Sequence, residues 1–282
     1  MYHERTRVRE LAVAAAAIVL FAGVALGTRY GLIQLAPGLT GTPRLAWRTV
    51  CGLVSFGFAT WLIGIHFGKR TWEEMGWRSG SKTLRQMLRG IGLGAAMATV
   101  TIAVLATVGG AAEHFSPEPR YFASAALLAI GLLTAALSEE LLYRGYILLR
   151  LSDAIGRRAV LVVSALVFGV DHLGNPHVTL LAGINVILAG VWLALAFFSP
   201  GGMPLAWGLH FGWNGALVLL FDAPLSGQLF DLPGIVYTPG THDWLDGGAF
   251  GPEGGVAATL VLVGGTIALF GGRLGRAKQW LS

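Results

Sequence analysis

Ser138-Glu139-Glu140-Leu141-Leu142-Tyr143-Arg144-Gly145-Tyr146 sets two adjacent carboxylates and an arginine inside a run that is otherwise apolar from about 122 to 148. A charge near the centre of a bilayer costs at least ~2.5–3.5 kcal/mol, so ionisable groups at that depth face a protein interior or a wet cavity and have partners. Helical spacing supplies one partner, because Glu140 and Arg144 stand at i and i+4 with the acid on the favourable N-terminal side. Glu139 points about 100° away from that pair and has no such local partner. A buried ion pair that fixes helix packing is a sufficient account of Glu140 and Arg144. It accounts less well for Glu139.

The surrounding composition makes the membrane the relevant solvent. Of 282 residues 54% are hydrophobic and 12% charged, and the mean hydropathy is +0.65, where soluble domains carry roughly 25% charged residues. Apolar runs near 11–28, 49–66, 90–112, 122–148, 159–173, 178–198, 203–221 and 256–272 compare with the ~20 residues that span a bilayer. The expectation is an all-α, polytopic membrane protein with about eight transmembrane helices, built as one domain over 1–282, since no polar stretch is long enough for a second core. The first run follows Arg5, Arg7 and Arg9 as a signal peptide would, but it has spanning length and no distinct cleavage site, so it reads as a retained helix.

Charge orients the bundle. With both termini inside, sixteen of the twenty Lys and Arg residues fall on inner segments, and only Arg29, Arg44, Arg48 and Arg120 fall outside. The positive-inside rule therefore selects an N-in, C-in arrangement, expected in the cell membrane as a multi-pass protein. The net charge of +5 does not imply nucleic acid, because the basic residues are spread between apolar runs instead of forming one patch. The lone Cys51 sits in an apolar run, where a thiolate is disfavoured, and can form no intrachain disulfide.

Two polar segments have bland readings. Thr71-Trp72-Glu73-Glu74-Met75-Gly76-Trp77-Arg78 mixes aromatic and charged residues as an interfacial helix would, and its paired acids read as solvated. The outer segment 222–255, with Asp222, Asp231, Asp243, Asp246 and Glu253 among many Gly and Pro, reads as an irregular loop. Many of the 41 glycines lie inside the apolar runs, where small residues permit close helix approach.

Further polar residues break the apolar runs at helical spacing. Phe168 and His172 are four apart, as are His210 and Asn214, so each pair lies on one helix face. At 1.5 Å per residue, Glu139 stands ~16 Å from Arg150, His172 ~21 Å from Arg158, and His210 and Asn214 about 10 and 16 Å from Met203. All four fall in one layer. The fifth run is short and ends in Gly174-Asn175-Pro176, a turn signal at a depth where irregular backbone lines cavities. Chemically the set is coherent. A carboxylate with a neighbouring histidine can bind and deprotonate water, and a second histidine with an amide NH₂ can donate to a developing oxyanion.

In order and spacing, Glu139-Glu140-x-x-x-Arg144, Phe168-x-x-x-His172 and His210-x-x-x-Asn214 resemble the motifs of the CPBP family of intramembrane endopeptidases, which includes the type II CAAX prenyl proteases and bacteriocin-processing or immunity proteins. The motif core spans about 120–220. The resemblance implies Glu139 as the catalytic glutamate acting with His172 on water, Glu140, Arg144 and Phe168 in support, and His210 with Asn214 as the oxyanion hole. It implies no required cofactor and a membrane-associated peptide or protein as substrate.

Three other readings stay open at this stage. Glu139, His172 and His210 make a conceivable His₂Glu zinc set, although the helical His-x-x-x-His pair of zincins is lacking. A transporter would use the same carboxylates and histidines to relay protons, and a non-enzymatic immunity protein would use the fold only for binding.

Overall fold

The computed structural model describes residues 2–77, 80–116, 118–230 and 232–271. Arg78, Arg273, Arg276 and Lys278, which contribute to the expected charge balance, and Asp231 of the outer segment lie outside the described residues. In chain order the helices are α1 (Tyr2–Ile33), α2 (Gly41–Ala59), α3 (Ser81–Val104), α4 (Tyr121–Tyr143), α5 (Tyr146–Ile155), α6 (Arg157–Asp171), α7 (Leu180–Phe198), α8 (Gly202–Gly215), α9 (Asp243–Asp246) and α10 (Val256–Thr266). Wider π-helical turns extend α2 over Thr60–Phe67, α3 over Leu105–Gly109, α8 over Ala216–Leu220 and α10 over Ile267–Gly271.

Among the described residues each expected apolar run but one falls largely on a single helix with its π-helical extension, and the run 122–148 falls on two. The protein is an all-α polytopic membrane protein. Among the described residues five stretches can cross a bilayer by length and composition: Val8–Ile33, Ala46–Phe67, Ser81–Gly109, Tyr121–Ile155 and Leu180–Phe198. The remaining apolar helices are shorter or interrupted by polar groups. α6 has 15 residues, α10 has 11, and α8 carries His210 and Asn214.

α8 is the central helix, with most of its side chains buried. Lipid tails are as apolar as leucine, so the hydrophobic effect does not drive helices together within the bilayer, and close packing must do so. The most extensive helix contact, α3 on α8, shows how. Gly90 and Gly94 of α3 meet Gly208 and Gly212 of α8, and a Cβ at any of the four would lie 2.2–2.6 Å from a backbone oxygen of the other helix. Trp207 Nε1 also donates to the Leu133 carbonyl at 2.9 Å, tying α8 to α4.

One expected span is broken. The run 122–148 is not a single helix: α4 ends at Tyr143 and α5 starts at Tyr146. The cause is local, because a Cβ at Gly145 would stand 2.3 Å from the Leu141 carbonyl oxygen. The chain there folds back as only glycine can, and the rise counted from Arg150 crosses a bend. α5 then lies along α1, where Phe21 and Tyr146 stack with centroids 6.2 Å apart. Its Arg150 pairs with Asp153 at 3.2 Å and with Glu10 of α1 at 3.3 Å, and Asp153 also pairs with Arg70.

The Thr71 segment is a turn and not an interfacial helix. Thr71 N donates to Glu74 Oε2 at 2.7 Å and Glu74 N to Thr71 Oγ1 at 3.1 Å, the reciprocal bonds of a capping box. The Thr71 amide, with help from Arg70, holds the Glu74 carboxyl below its usual range. The outer segment is more ordered than its composition suggests. β2 (Ile235–Thr238) pairs antiparallel with β1 (Ala112–Phe115), Glu113 facing Tyr237, and so fastens that segment to the end of α3.

The orientation expected from charge is open to a direct check. Ser81 and Thr241 are both exposed, and the native Cys51 is 1% exposed. In intact cells a membrane-impermeant thiol reagent is expected to label Thr241→Cys, and to reach Ser81→Cys only after permeabilisation. The reverse pattern overturns the N-in assignment.

Candidate active site

The bend after α4 is what internalises Arg144. Its amide closes the last turn of α4 on the Glu140 carbonyl at 2.8 Å, and its side chain, 0% exposed, turns back along the helix. Nη1 donates to Glu140 Oε1 at 3.1 Å, and Nη2 donates to the Gly190 carbonyl at 3.4 Å. The guanidinium also stands 4.3 Å from the centroid of the Phe168 ring. Gly190 allows this reach, since a Cβ there would be 2.9 Å from Ala165 Cα and would push α7 away from α6. Arg144 thus joins α4, α6 and α7.

Glu140 is equally buried, and its Oε1 receives a second donor, His210 Nδ1, at 2.8 Å. An ionised carboxylate only accepts, so the tautomer assigned from this bond puts a hydrogen on Nδ1. The other nitrogen, Nε2, lies 3.8 Å from Glu139 Oε2. His210 therefore stands between the two glutamates. Glu139 differs from its neighbour in being 37% exposed, with its carboxylate facing a cavity.

His172 follows the last residue of α6 and opens a short 3₁₀ turn over His172–Gly174, matching the turn expected from Gly174-Asn175-Pro176. Its Nδ1 is 2.7 Å from the Phe168 carbonyl oxygen. A carbonyl also only accepts, so Nδ1 carries the hydrogen and Nε2 keeps a lone pair. Phe168 is the hub of the group. Its ring is 4.4 Å from that of His172 and 6.2 Å from that of His210, and lies beneath Arg144.

Glu139, Phe168, His172, His210 and Asn214 all line one cavity of about 520 Å³, and Glu140 and Arg144 form the buried layer behind it. This size suits a small-molecule or peptide segment. Glu139 and His172 share the cavity, while the ion-pair contact of Glu139 is with His210. Among the described residues no group of three or more His, Cys, Asp or Glu side chains is arranged to hold a metal ion.

Several site residues escaped the sequence reading. The Tyr143 hydroxyl donates to Asp171 Oδ2 at 2.5 Å, which locks α4 to the end of α6 beside the cavity. Tyr143 is i+4 from Glu139 and Asp171 adjoins His172, so both were polar neighbours of motif residues. Glu253 was read only as one acid of an outer loop. In the fold its Oε1 accepts from Trp213 Nε1 at 2.9 Å and its Oε2 from Ser226 N and Oγ at 2.8 and 2.9 Å. Asn185 donates to the Glu253 and Gly255 carbonyls at 2.7 and 2.9 Å. These bonds fasten the outer loops over the cavity, and nothing local in the sequence announces them.

Residues 121–216 match the family model of Type II CAAX prenyl endopeptidase Rce1-like proteins. The matched segment runs from the first residue of α4 to the end of α8 and contains every motif residue described above. Comparison of the chain with curated proteins gives no match.

Proposed function

We propose that the chain, whose residues 121–216 match the family model of Type II CAAX prenyl endopeptidase Rce1-like proteins, hydrolyses a peptide bond of a membrane-associated substrate with a glutamate-activated water. The observation that carries this reading is the shared cavity, in which a solvent-accessible carboxylate, a histidine with a free Nε2, a second histidine and an amide side chain converge from three helices.

In the proposed reaction water sits between Glu139 and His172 Nε2. Glu139 takes its proton as the oxygen attacks the carbonyl carbon, and the proton passes to the leaving nitrogen as the C–N bond breaks, giving a carboxylate and an amine. The oxyanion accepts from Asn214 NH₂ and from His210 Nε2, each such donor being worth ~2.7–4 kcal/mol in a preorganised site. Donation from Nε2 while Nδ1–H stays on Glu140 requires the imidazolium, and Glu139 and Glu140 flank that charge with two negative ones. Glu140 and Arg144 act behind the reacting atoms, holding His210 at its angle.

The experiment is turnover by purified protein on a library of membrane-anchored peptides, run with and without a strong chelator. Hydrolysis is expected and should survive prolonged chelation within about twofold, whereas a bound catalytic zinc would be stripped and activity lost. Absence of cleavage across the library removes the protease reading, and chelator-sensitive cleavage restored by zinc replaces it with the metalloprotease one.

A further inference from the structure

The bundle has two chemically different ends, and the cavity reaches only one of them. At the basic end Lys69, Lys82, Arg85, Arg89, Arg157 and Arg158 lie just after α2 and its π-helical extension or in the first turns of α3 and α6. The ion pairs of Arg70 and Arg150 with Asp153 and Glu10 tie these segments to the start of α1. This end is plugged. Met75, Tyr146, Leu148 and Met203 are each at most 5% exposed, and Met203 N donates to the Gly76 carbonyl at 3.1 Å. A Cβ at Gly64 would lie 2.9 Å from Met75 Cε and 3.1 Å from Tyr146 Cδ2, so nothing passes between them. Among the described residues none from 68–89, 144–158 or 199–204 lines the cavity.

At the other end the lining continues to the surface. It includes Arg29 near the end of α1, Arg48 near the start of α2, Asn175 in the turn after α6, and Gln228, Phe230 and Glu253 of the 222–255 segment. Arg48 and Gln228 are exposed.

The depth of the reacting groups agrees with this direction. The Tyr143 hydroxyl bonds to Asp171, the last residue of α6. α4 runs from the β1 side toward the basic end, and helical side chains lean toward the N-terminus of their helix, so Glu139, one turn before Tyr143, stands at about the level of Asp171 and His172. That level is ~21 Å from Arg158 along α6, in a hydrocarbon core ~30 Å thick. The reacting groups therefore lie in the third of the membrane farthest from the basic end. An extended chain, advancing ~3.3 Å per residue, enters to that depth with about three residues.

We propose that the site draws its peptide from the extracytoplasmic side, so that its substrate is an unfolded outer segment of a membrane-anchored protein, cut close to the bilayer surface. An excess of Lys and Arg marks the cytoplasmic face of a membrane protein, and the cavity mouth lies at the opposite end. The proposal rests on the peptidase reading, and its test scores the two apart.

The probe is a peptide that the detergent-solubilised protein cleaves, displayed on a phospholipid headgroup that cannot cross the bilayer and added outside proteoliposomes. Labelling of Thr241→Cys or Ser81→Cys by a membrane-impermeant thiol reagent sorts the vesicles by the face turned outward, since the native Cys51 is 1% exposed. Vesicles with Thr241 outward should cleave the external peptide at close to their detergent-lysed rate. Those with Ser81 outward should lose nearly all turnover until lysed. In intact cells Gln228→Cys, at the mouth, should react with the same reagent without permeabilisation. Turnover confined to Ser81-outward vesicles overturns the direction of the mouth. Labelling of Gln228→Cys only after permeabilisation overturns the outer-side substrate, even where cleavage follows Thr241. Absence of cleavage in detergent removes the peptidase reading and this proposal with it, whereas cleavage in detergent with either of the two preceding results removes this proposal alone.

Discussion

Glu139→Gln is expected to lower turnover by about 10²–10⁴-fold, the range for loss of a general base, and to leave the melting transition in detergent unchanged. The two outcomes separate because of where the carboxylate sits. Glu139 faces the cavity at 37% exposure, and its contact with His210, at 3.8 Å, is beyond hydrogen-bonding distance. Arg144 is committed to Glu140 and Gly190, so removing the charge of Glu139 strands no buried cation. An amide is also cheaper than a charge to hold in an apolar setting. Turnover on one cleavable peptide and a melting curve for the same preparation settle the matter. A well-folded Gln protein that keeps more than about a tenth of wild-type turnover, far above the residue expected, takes Glu139 out of the reaction.

How far such a site can be read before the fold is known depends on whether its contacts are local. Glu140 and Arg144 are one helical turn apart, and their ion pair was legible from spacing; so was the end of α6 at Gly174-Asn175-Pro176. The common depth expected of Glu139, His172, His210 and Asn214 came from a fixed rise per residue, and for Glu139 that count from Arg150 crosses the bend between α4 and α5. Their meeting on one cavity is geometry, and their chemical roles are for the variants to test. The break at Gly145 was signalled by a glycine following a helix-ending arginine, but the apolar residues after it masked the stop. Contacts between distant segments left no local trace. His210 on Glu140, Trp213 and Ser226 on Glu253, and Arg29 and Arg48 over the cavity each require the packing of helices whose order in space is not a periodic property of any one of them. The β1–β2 ribbon is hidden for the same reason, since its two four-residue strands lie more than a hundred residues apart.

Arg144→Ala tests the layer behind the reacting atoms. Deleting one member of a buried ion pair costs ~3–5 kcal/mol, because the other charge is left without compensation. Here the stranded group is Glu140, 0% exposed, whose Oε1 would keep only the His210 bond and whose Oε2 already has no protein partner among the described residues. The same change removes the cation above Phe168 and the bond to Gly190, so α4, α6 and α7 lose a common tie. A sharply lowered melting temperature is therefore expected, together with loss of turnover as His210 loses its anchored orientation. Arg144→Lys should recover little, since an ammonium cannot reach Glu140 and Gly190 in the fork geometry of a guanidinium. Replacing both partners, Glu140→Gln with Arg144→Met, removes the unpaired charge and should return much of the stability without returning activity. That divergence distinguishes a positioning role from a merely structural one: if the double variant regains turnover along with its melting temperature, His210 does not depend on Glu140 for its orientation, and an Arg144→Ala protein that melts with the wild type shows that the guanidinium does not hold Glu140 at all.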